Sequence, residues 1–258
     1  ATIVMASILI VQCLIFQDGG LLALGTNIFN LGVIPCYVGY GLFRLIAGRV
    51  PTAQRLYLAI FFATMLGMLA GAAMVPVQTH LSGVLAVPFW YFLLVMLALH
   101  VIIALIEALI TFVVVLYILR IRPDAIAIDL SHLRDARPRA GARAMTASLL
   151  IAALVLGGIG SLFASESPDA LEMLTSTEAT SRPMIQPSDD ALIEQADQVH
   201  ERLAPMPDYQ VPNLGPVLGT SLSGVIGTIV TLVVVWLIGR TIRARTTTTT
   251  PPQETRSK

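Results

Sequence analysis

The amino-acid sequence predicts an all-α fold, a polytopic bundle of about six transmembrane helices with a partly helical extracytoplasmic loop. Hydrophobic residues make up 55% of the 258 residues, charged residues make up 12%, and the mean hydropathy is +0.78. This composition excludes a disordered chain and an ordinary soluble domain. Apolar runs of membrane-crossing length and the separation of basic from acidic segments complete the prediction.

Six apolar runs account for the predicted spans, because a helix needs about 20 apolar residues to cross a bilayer. They cover residues 1–16, 31–47, 56–78, 88–119, 144–164 and 217–239. The first run would reach about 24 Å at about 1.5 Å per residue, so we expect it to be the tail of a longer helix and the chain to be truncated at its N-terminus. The fourth run is too long for one upright span. We expect it to be strongly tilted or broken near residues 98–100.

Arginines predict the orientation of the spans, since basic residues concentrate in cytoplasmic loops. They are frequent in segments 44–55, 120–143 and 240–245, whereas segment 165–216 holds ten acidic residues and two arginines. We therefore expect the acidic segment to lie outside and the C-terminus to lie in the cytoplasm. Consecutive spans then cross the membrane in opposite directions, in agreement with the charges of the loops that join them.

The same charge pattern predicts two membrane modules. Residues 1–122 form the first, residues 123–143 a basic cytoplasmic linker, and residues 144–240 a two-span second module with an outside loop at 165–216. An apolar stripe at helical spacing predicts a short amphipathic helix over residues 188–203; its members are Leu192, Ile193, Ala196, Val199 and Leu203. The Thr- and Pro-containing residues 241–258 are expected to form a disordered tail.

A ridge of small residues marks the third apolar run. Ala63, Gly67 and Gly71 recur at four-residue spacing. Small residues in this pattern let a second helix approach closely within a membrane. The alternative is that the two glycines simply face lipid.

A polar stretch at residues 17–27 interrupts the apolar sequence and contains Asp18, Gly19 and Asn27. Non-helical backbone at membrane depth persists where it is buried in protein or lines a polar cavity, and an ionisable group there is a functional-site candidate. We expect the stretch to dip into the bundle and line a site. The alternative is a tight outside turn in which the aspartate and the glycines supply turn geometry.

Two polar residues interrupt the fourth apolar run. His100 and Glu107 are seven residues apart, so they fall on the same face of a helix about 10 Å apart along its axis. They could be a metal-ligand pair, a proton relay or a structural polar clamp. The spacing favours the clamp, because 10 Å is too far for both side chains to bind one ion easily. His132 and His200 have no second ligand at a convincing spacing, and we expect them to be ordinary surface residues.

Three blocks of the first module resemble a known family. Residues 11–33, VQCLIFQDGGLLALGTNIFNLGV, residues 39–44, GYGLFR, and residues 100–111, HVIIALIEALIT, are similar to the CbiM/NikM-type substrate-binding membrane component of nickel and cobalt energy-coupling-factor transporters. In the third block Ala104 and Ile106 replace two glycines of the family pattern. The three blocks occur in the family's order over about 100 residues.

The second module resembles the PDGLE-type accessory module, of the NikN/CbiN kind, that is often fused to this component. Residues 167–172 read SPDALE, with Ala170 in place of the motif glycine. Residues 206–212 and 223–228 are similar to its later blocks. This resemblance covers about residues 144–240.

The resemblance implies a multi-pass subunit in a prokaryotic inner membrane that captures divalent nickel or cobalt from outside, with no permanently bound cofactor. Its partners would be a coupling transmembrane subunit and ABC-type ATPase subunits, with no nucleic acid involved. The family's metal ligands are an N-terminal Met-His and a further histidine upstream of the first block, and the sequence contains neither. We therefore expect no direct metal ligand in this chain. At best the cavity is shaped, and its ligands oriented, by Asp18, Gly19, Asn27, His100 and Glu107.

Two other functions remain as alternatives. An intramembrane metal-dependent hydrolase could use His100 and Glu107, although the sequence contains neither H-E-x-x-H nor G-x-S-x-G. A purely structural membrane subunit suits the second module better than the first. The chain has a single lysine, Lys258, and no P-loop motif, so any ATPase activity would reside in a partner subunit and we expect no enzyme activity here.

Overall fold

The fold is a bundle of long helices. The structure, a computed structural model, describes residues 1–49, 51–121, 141–160, 185, 190–211 and 214–247. Its elements are α1 (Thr2–Phe16), α2 (Leu24–Asn27), a π-helical segment (Ile28–Val33), α3 (Ile34–Ala47), α4 (Ala53–Leu81), α5 (Phe89–Ile121), α6 (Ala142–Gly158), α7 (Asp190–Leu203), a short 3-10 turn (Pro207–Tyr209) and α8 (Pro216–Thr247). Within these residues β-type pairing is limited to one isolated bridge, between Leu85 and Ile185. The predicted all-α class is confirmed.

Six apolar helices correspond to the six predicted runs. Four are long and apolar enough to cross a membrane, and they cover Leu24–Ala47, Ala53–Leu81, Phe89–Ile121 and Leu218–Thr241. Two are shorter, Thr2–Phe16 and Arg143–Gly158. Most of the predicted linker, residues 167–172 and most of the predicted tail lie outside the described residues. The expectation of disorder is wrong for residues 241–247, which continue the last apolar helix as the end of α8.

The fifth helix is continuous. α5 runs unbroken for 33 residues, so of the two alternatives the break near residues 98–100 is wrong. His100 lies within this continuous helix, and its Nδ1 is 2.8 Å from the carbonyl oxygen of Met96, one turn earlier. At about 1.5 Å per residue α5 is about 50 Å long, which exceeds the hydrocarbon thickness of a bilayer, about 30 Å.

The π-helical segment and α3 pack closely against the small-residue ridge of α4. Ala63, Gly67 and Gly71 are all buried. A Cβ at Gly67 would lie 2.9 Å from the carbonyl oxygen of Pro35, and a Cβ at Gly71 would overlap the carbonyl oxygen of Asn30. The expectation of close helix packing is confirmed, and the lipid-facing alternative is wrong.

A pair of amides joins the π-helical segment to α4. The Asn30 side chain donates to Oε1 of Gln78 at 2.8 Å, and the Gln78 side chain donates to Oδ1 of Asn30 at 2.9 Å. Asn30 is 2% exposed, so the reciprocal pair satisfies a buried polar side chain that would otherwise be costly in an apolar bundle.

α5 packs along α4 through two apolar clusters. Phe92 and Met96 form one, near the start of α5. Leu56, Ile60 and Leu119 form the other, near its end. At that end the hydroxyls of Tyr117 and Ser148 lie 2.6 Å apart and connect α5 to α6.

α6 and α8 form a second close helix pair. The Ser221 hydroxyl donates to the carbonyl oxygen of Gly158 at 2.7 Å. A Cβ at Gly157 would lie 2.8 Å from the carbonyl oxygen of Gly224. Small residues on both helices therefore set their separation, as in the contact between α3 and α4.

We predict that Gly71→Ala destabilises the bundle by about 1–3 kcal/mol, the usual cost of overpacking a close contact. The new methyl group would meet the backbone of Asn30, which cannot rotate away as a flexible side chain can. Thermal unfolding of the detergent-purified protein measures the effect. The matched control is Gly41→Ala in α3, where a Cβ meets nothing within 4 Å and helix propensity favours alanine. Equal stability of the two variants would contradict the close contact.

Candidate functional site at the junction of the two modules

The polar stretch forms a turn that leaves α1 abruptly. Gln17 adopts the left-handed conformation, with φ 60° and ψ 23°, and its backbone N–H donates to the carbonyl oxygen of Cys13 at 3.2 Å. The N–H of Asp18 donates to the carbonyl oxygen of Gln12 at 3.1 Å. Gly19 follows with φ 85°, a conformation that favours glycine because it has no Cβ.

Asn27 closes this turn from its far side. Its side-chain amide donates to the carbonyl oxygen of Gly19 at 3.0 Å. A Cβ at Gly19 would lie 2.8 Å from that amide nitrogen, so a larger residue there would displace the end of the Asn27 side chain. Gly19 and Asn27 therefore both contribute to the geometry of the turn.

Asp18 is held by a residue of the second module. The Tyr209 hydroxyl donates to Oδ2 of Asp18 at 2.5 Å, and the Gln12 side chain donates to the same oxygen at 3.3 Å. Asp18 is exposed. Burial raises the pKa of Tyr209 well above its ordinary value, and the hydrogen bond to Asp18 and its negative charge raise it further, whereas the hydrogen bond from Gln12 lowers it. The phenol thus keeps its proton and remains a donor to the carboxylate.

Tyr209 also packs on the end of α1. Its ring stacks on that of Phe16, with centroids 4.5 Å apart and planes at 14°. Asp208 and Tyr209 both have positive φ, 51° and 57°, which is uncommon for residues other than glycine. The stack and the bond to Asp18 are contacts that hold the tyrosine in this conformation.

Further contacts continue the junction of the modules. The N–H of Met206 donates to the carbonyl oxygen of Ile15 at 3.1 Å, which satisfies a carbonyl in the last turn of α1. A Cβ at Gly227 of α8 would lie 2.9 Å from the Phe16 ring. The Phe16 side chain is 3% exposed because Tyr209 and α8 both cover it.

His200 is buried, and the expectation that it is an ordinary surface residue is wrong. Its side chain is 1% exposed. Its Nε2 donates to the carbonyl oxygen of Cys13 at 2.6 Å and lies 3.5 Å from the Cys13 sulfur. His200 is buried because α7 packs against α1. Its buried ring nitrogen is satisfied there by the carbonyl oxygen of Cys13.

The spacing along α7 could have revealed this. The helix turns its less exposed positions, Ile193, Ala196 and His200, toward the protein, and Ala204 follows as a buried residue. These positions recur at helical spacing. Three residues of the expected stripe are instead exposed, namely Leu192, Val199 and Leu203.

His100 and Glu107 lie elsewhere, on α5. His100 is half-buried and bonds to its own helix, while Glu107 is exposed. Within the described part of the chain, neither a hydrogen bond nor an ion pair joins these residues to each other or to the turn at Asp18. Of the five candidate residues, the fold brings together Asp18, Gly19 and Asn27.

Metal-ligating side chains do not cluster in the described residues. No group of three or more His, Cys, Asp and Glu side chains there could hold a metal ion. The contacts at the junction are hydrogen bonds and ring stacking, which position the turn of residues 17–27. They do not by themselves form a coordination site.

Comparison with known proteins decides the family. Residues 1–125 match the family described as the cobalt uptake substrate-specific transmembrane region, CbiM, and residues 143–244 match the PDGLE domain. The fused nickel transport protein NikMN of Archaeoglobus fulgidus is 30% identical over 241 residues, which cover 93% of this chain and 71% of that protein. The chain belongs to the CbiM family, in its form fused to a PDGLE module.

Two metal transport proteins each match about half of the chain. A metal transport protein of Haloquadratum walsbyi is 31% identical over 122 residues, covering 47% of this chain and 54% of that protein. One from Methanocaldococcus jannaschii is 31% identical over 130 residues, covering 48% and 57%. The chain thus spans little more than half the length of these two relatives. No solved structure matches it.

We predict that the bond between Tyr209 and Asp18 couples the two modules energetically. Tyr209→Phe keeps the stack on Phe16 and removes the donor, so it should destabilise the protein by about 1–2 kcal/mol, below the upper range for bonds to charged groups because Asp18 is exposed. A double-mutant cycle with Asp18→Asn, measured by thermal unfolding, should give a coupling energy of at least about 0.5 kcal/mol. Tyr91→Phe, at an exposed tyrosine of α5, is the matched control. Additive effects in the cycle would exclude the coupling.

Proposed function

We propose that this chain is the substrate-capture transmembrane subunit of an ATP-driven energy-coupling-factor importer for nickel or cobalt ions. The observation that carries the proposal is the similarity to a fused nickel transport protein across both modules, over 93% of the chain. The match of residues 1–125 to a cobalt uptake family supports the same substrate class. The metal is the transported substrate.

The energy source would lie in partner subunits. The chain has one lysine and no P-loop motif, so ABC-type ATPase subunits would hydrolyse ATP. A coupling transmembrane subunit would link this hydrolysis to metal transport through the chain. The proposed location is a prokaryotic inner membrane, and the separation of arginines from acids supports a cytoplasmic C-terminus. The proposed division is a capture module at 1–122, a cytoplasmic linker at 123–143, an accessory module at 144–240 and a tail at 241–258.

The proposed role of the accessory module is to hold the turn that contains Asp18. Tyr209 bonds to the carboxylate, and Met206 and His200 bind backbone carbonyls of the last turns of α1. With the turn fixed, Asp18, Gly19 and Asn27 would shape one wall of the metal cavity, and His100 and Glu107 would shape another. None of the five is proposed as a direct metal ligand.

A metal-dependent hydrolase gains no support from the geometry. That mechanism needs His100 and Glu107 to share a metal with a third ligand. The structure shows no contact between these two residues, and the described residues provide no third ligand.

Uptake of radioactive nickel and cobalt tests the proposal. Cells that lack their own high-affinity uptake would produce the gene product containing this chain together with its coupling and ATPase subunits. We expect metal accumulation that requires all subunits and is abolished when the P-loop lysine of the ATPase is replaced by alanine. Tyr209→Phe should lower the uptake rate several-fold, and Tyr91→Phe should not.

Two outcomes would reject this function. Uptake that is independent of the ATPase would exclude the ATP-driven mechanism. An absence of nickel and cobalt uptake in cells that contain the assembled complex would exclude the substrate class.

A further inference from the structure

The π-helical segment leaves one buried backbone carbonyl without its usual donor. In an α-helix the N–H of residue 34 would donate to the carbonyl oxygen of Asn30. Here the Ile34 N–H donates instead to the carbonyl oxygen of Phe29, five residues earlier. The next residue, Pro35, has no N–H to donate. Because Asn30 is buried, this register has a cost that other contacts must offset.

The Asn30 carbonyl lies against the backbone of α4. A Cβ at Gly71 would overlap its oxygen, so glycine at this position allows the two backbones to meet. A Cα–H group is a weaker donor than an N–H group. The contact with Gly71 therefore fits the carbonyl into the bundle without replacing the missing hydrogen bond.

The amide pair on the same residue supplies the compensation. The side chains of Asn30 and Gln78 exchange two hydrogen bonds, of 2.8 and 2.9 Å. Both bonds require the Asn30 side chain to point toward α4. If the segment became α-helical, the Ile34 N–H would return to the Asn30 carbonyl. The helix before it would then rotate by about 100° relative to α3, the angle that one residue occupies in an α-helix, and the amide pair would be lost.

Two registers of the segment thus compete. The α-helical register satisfies the Asn30 carbonyl, and the π-helical register satisfies the side chains of Asn30 and Gln78. Directional bonds between buried polar groups select one register where apolar contacts would accept more than one. Two apolar side chains of similar size would fill the same space but would not discriminate between the registers.

The register of the segment also determines where the turn of residues 17–27 lies. Leu24–Ala47 is one continuous helical stretch, so α2 rotates together with the π-helical segment. Asn27, the last residue of α2, donates to the carbonyl oxygen of Gly19 at 3.0 Å. A rotation of α2 would therefore move Asn27 and the turn, and would separate Asp18 from Tyr209.

We propose that Asn30 and Gln78 form a register lock, a pair of positioning residues that holds the π-helical segment and so places the turn containing Asp18 for metal capture. The inference rests on the importer function proposed above. It adds two residues that act through the turn and touch no metal. Tyr209 holds the turn near its beginning, at Asp18, and the register lock holds it at its end, at Asn27.

An apolar replacement of the pair separates positioning from packing. Gln78→Met leaves the buried Asn30 amide unpaired and should lower the melting temperature by a few degrees. Adding Asn30→Leu removes both polar partners at similar volume, so the melting temperature should recover. The apparent KM of nickel uptake should nevertheless stay raised about tenfold in this double variant, as for residues that orient a metal site, with little change in the maximal rate.

Hydrogen exchange of the purified chain provides a second readout that does not depend on transport. The single and the double variant should both exchange several-fold faster than wild type at residues 17–27. The reversed pair, Asn30→Gln with Gln78→Asn, restores an amide on each helix and should recover the wild-type exchange and KM. Gln54→Met, at an exposed glutamine of α4, is the matched control and should leave both unchanged.

Recovery of the melting temperature, the KM and the exchange rates together in the apolar double variant would overturn the register lock, because packing alone would then position the turn. Wild-type KM and exchange in Gln78→Met would overturn it too. If the double variant does not fold, the reversed pair decides, since a wild-type melting temperature with a raised KM contradicts the lock. Absence of nickel and cobalt uptake by the wild-type complex would instead reject the importer, and the exchange rates would still test the lock.

Discussion

The hydrogen bond from Tyr209 to Asp18 is the contact on which the arrangement of the candidate site depends. It joins a residue of the second module to the turn that follows α1, at 2.5 Å. The raised pKa of Tyr209 keeps the phenol protonated as the donor. The stack on Phe16 and the bond from Met206 to Ile15 place the tyrosine beside the carboxylate. The turn of the first module is thus positioned in part by the second module.

A single constraint explains the other polar contacts of the bundle, since a buried polar group without a partner is costly where water is absent. Asn30 and Gln78 satisfy each other, and His200 uses a backbone carbonyl of α1. Glu107 is the exception among these residues, because the described chain gives it no partner.

The sequence predicted the features that depend on local pattern. The six apolar runs predicted the six apolar helices. The spacing of Ala63, Gly67 and Gly71 predicted that another helix packs closely on α4, as α3 and the π-helical segment do. Features that depend on packing between the two modules could not be predicted from local sequence patterns. Nothing local to Asp18 indicates Tyr209, 191 residues later. His200 was assigned to the surface because it had no second ligand at a convincing spacing, whereas its burial depends on contact with α1. The continuity of α5 was one of two alternatives, and the structure decides it.

Hydrogen exchange at residues 17–27 tests most directly whether the accessory module holds the Asp18 turn. The amides of Gln17, Asp18 and Asn27 are hydrogen-bonded to backbone carbonyls, so their exchange rates report opening of the turn. Mass spectrometry of the purified protein should show exchange in this segment several-fold faster in Tyr209→Phe than in wild type, with α4 unchanged. Identical exchange in the two proteins would contradict the account.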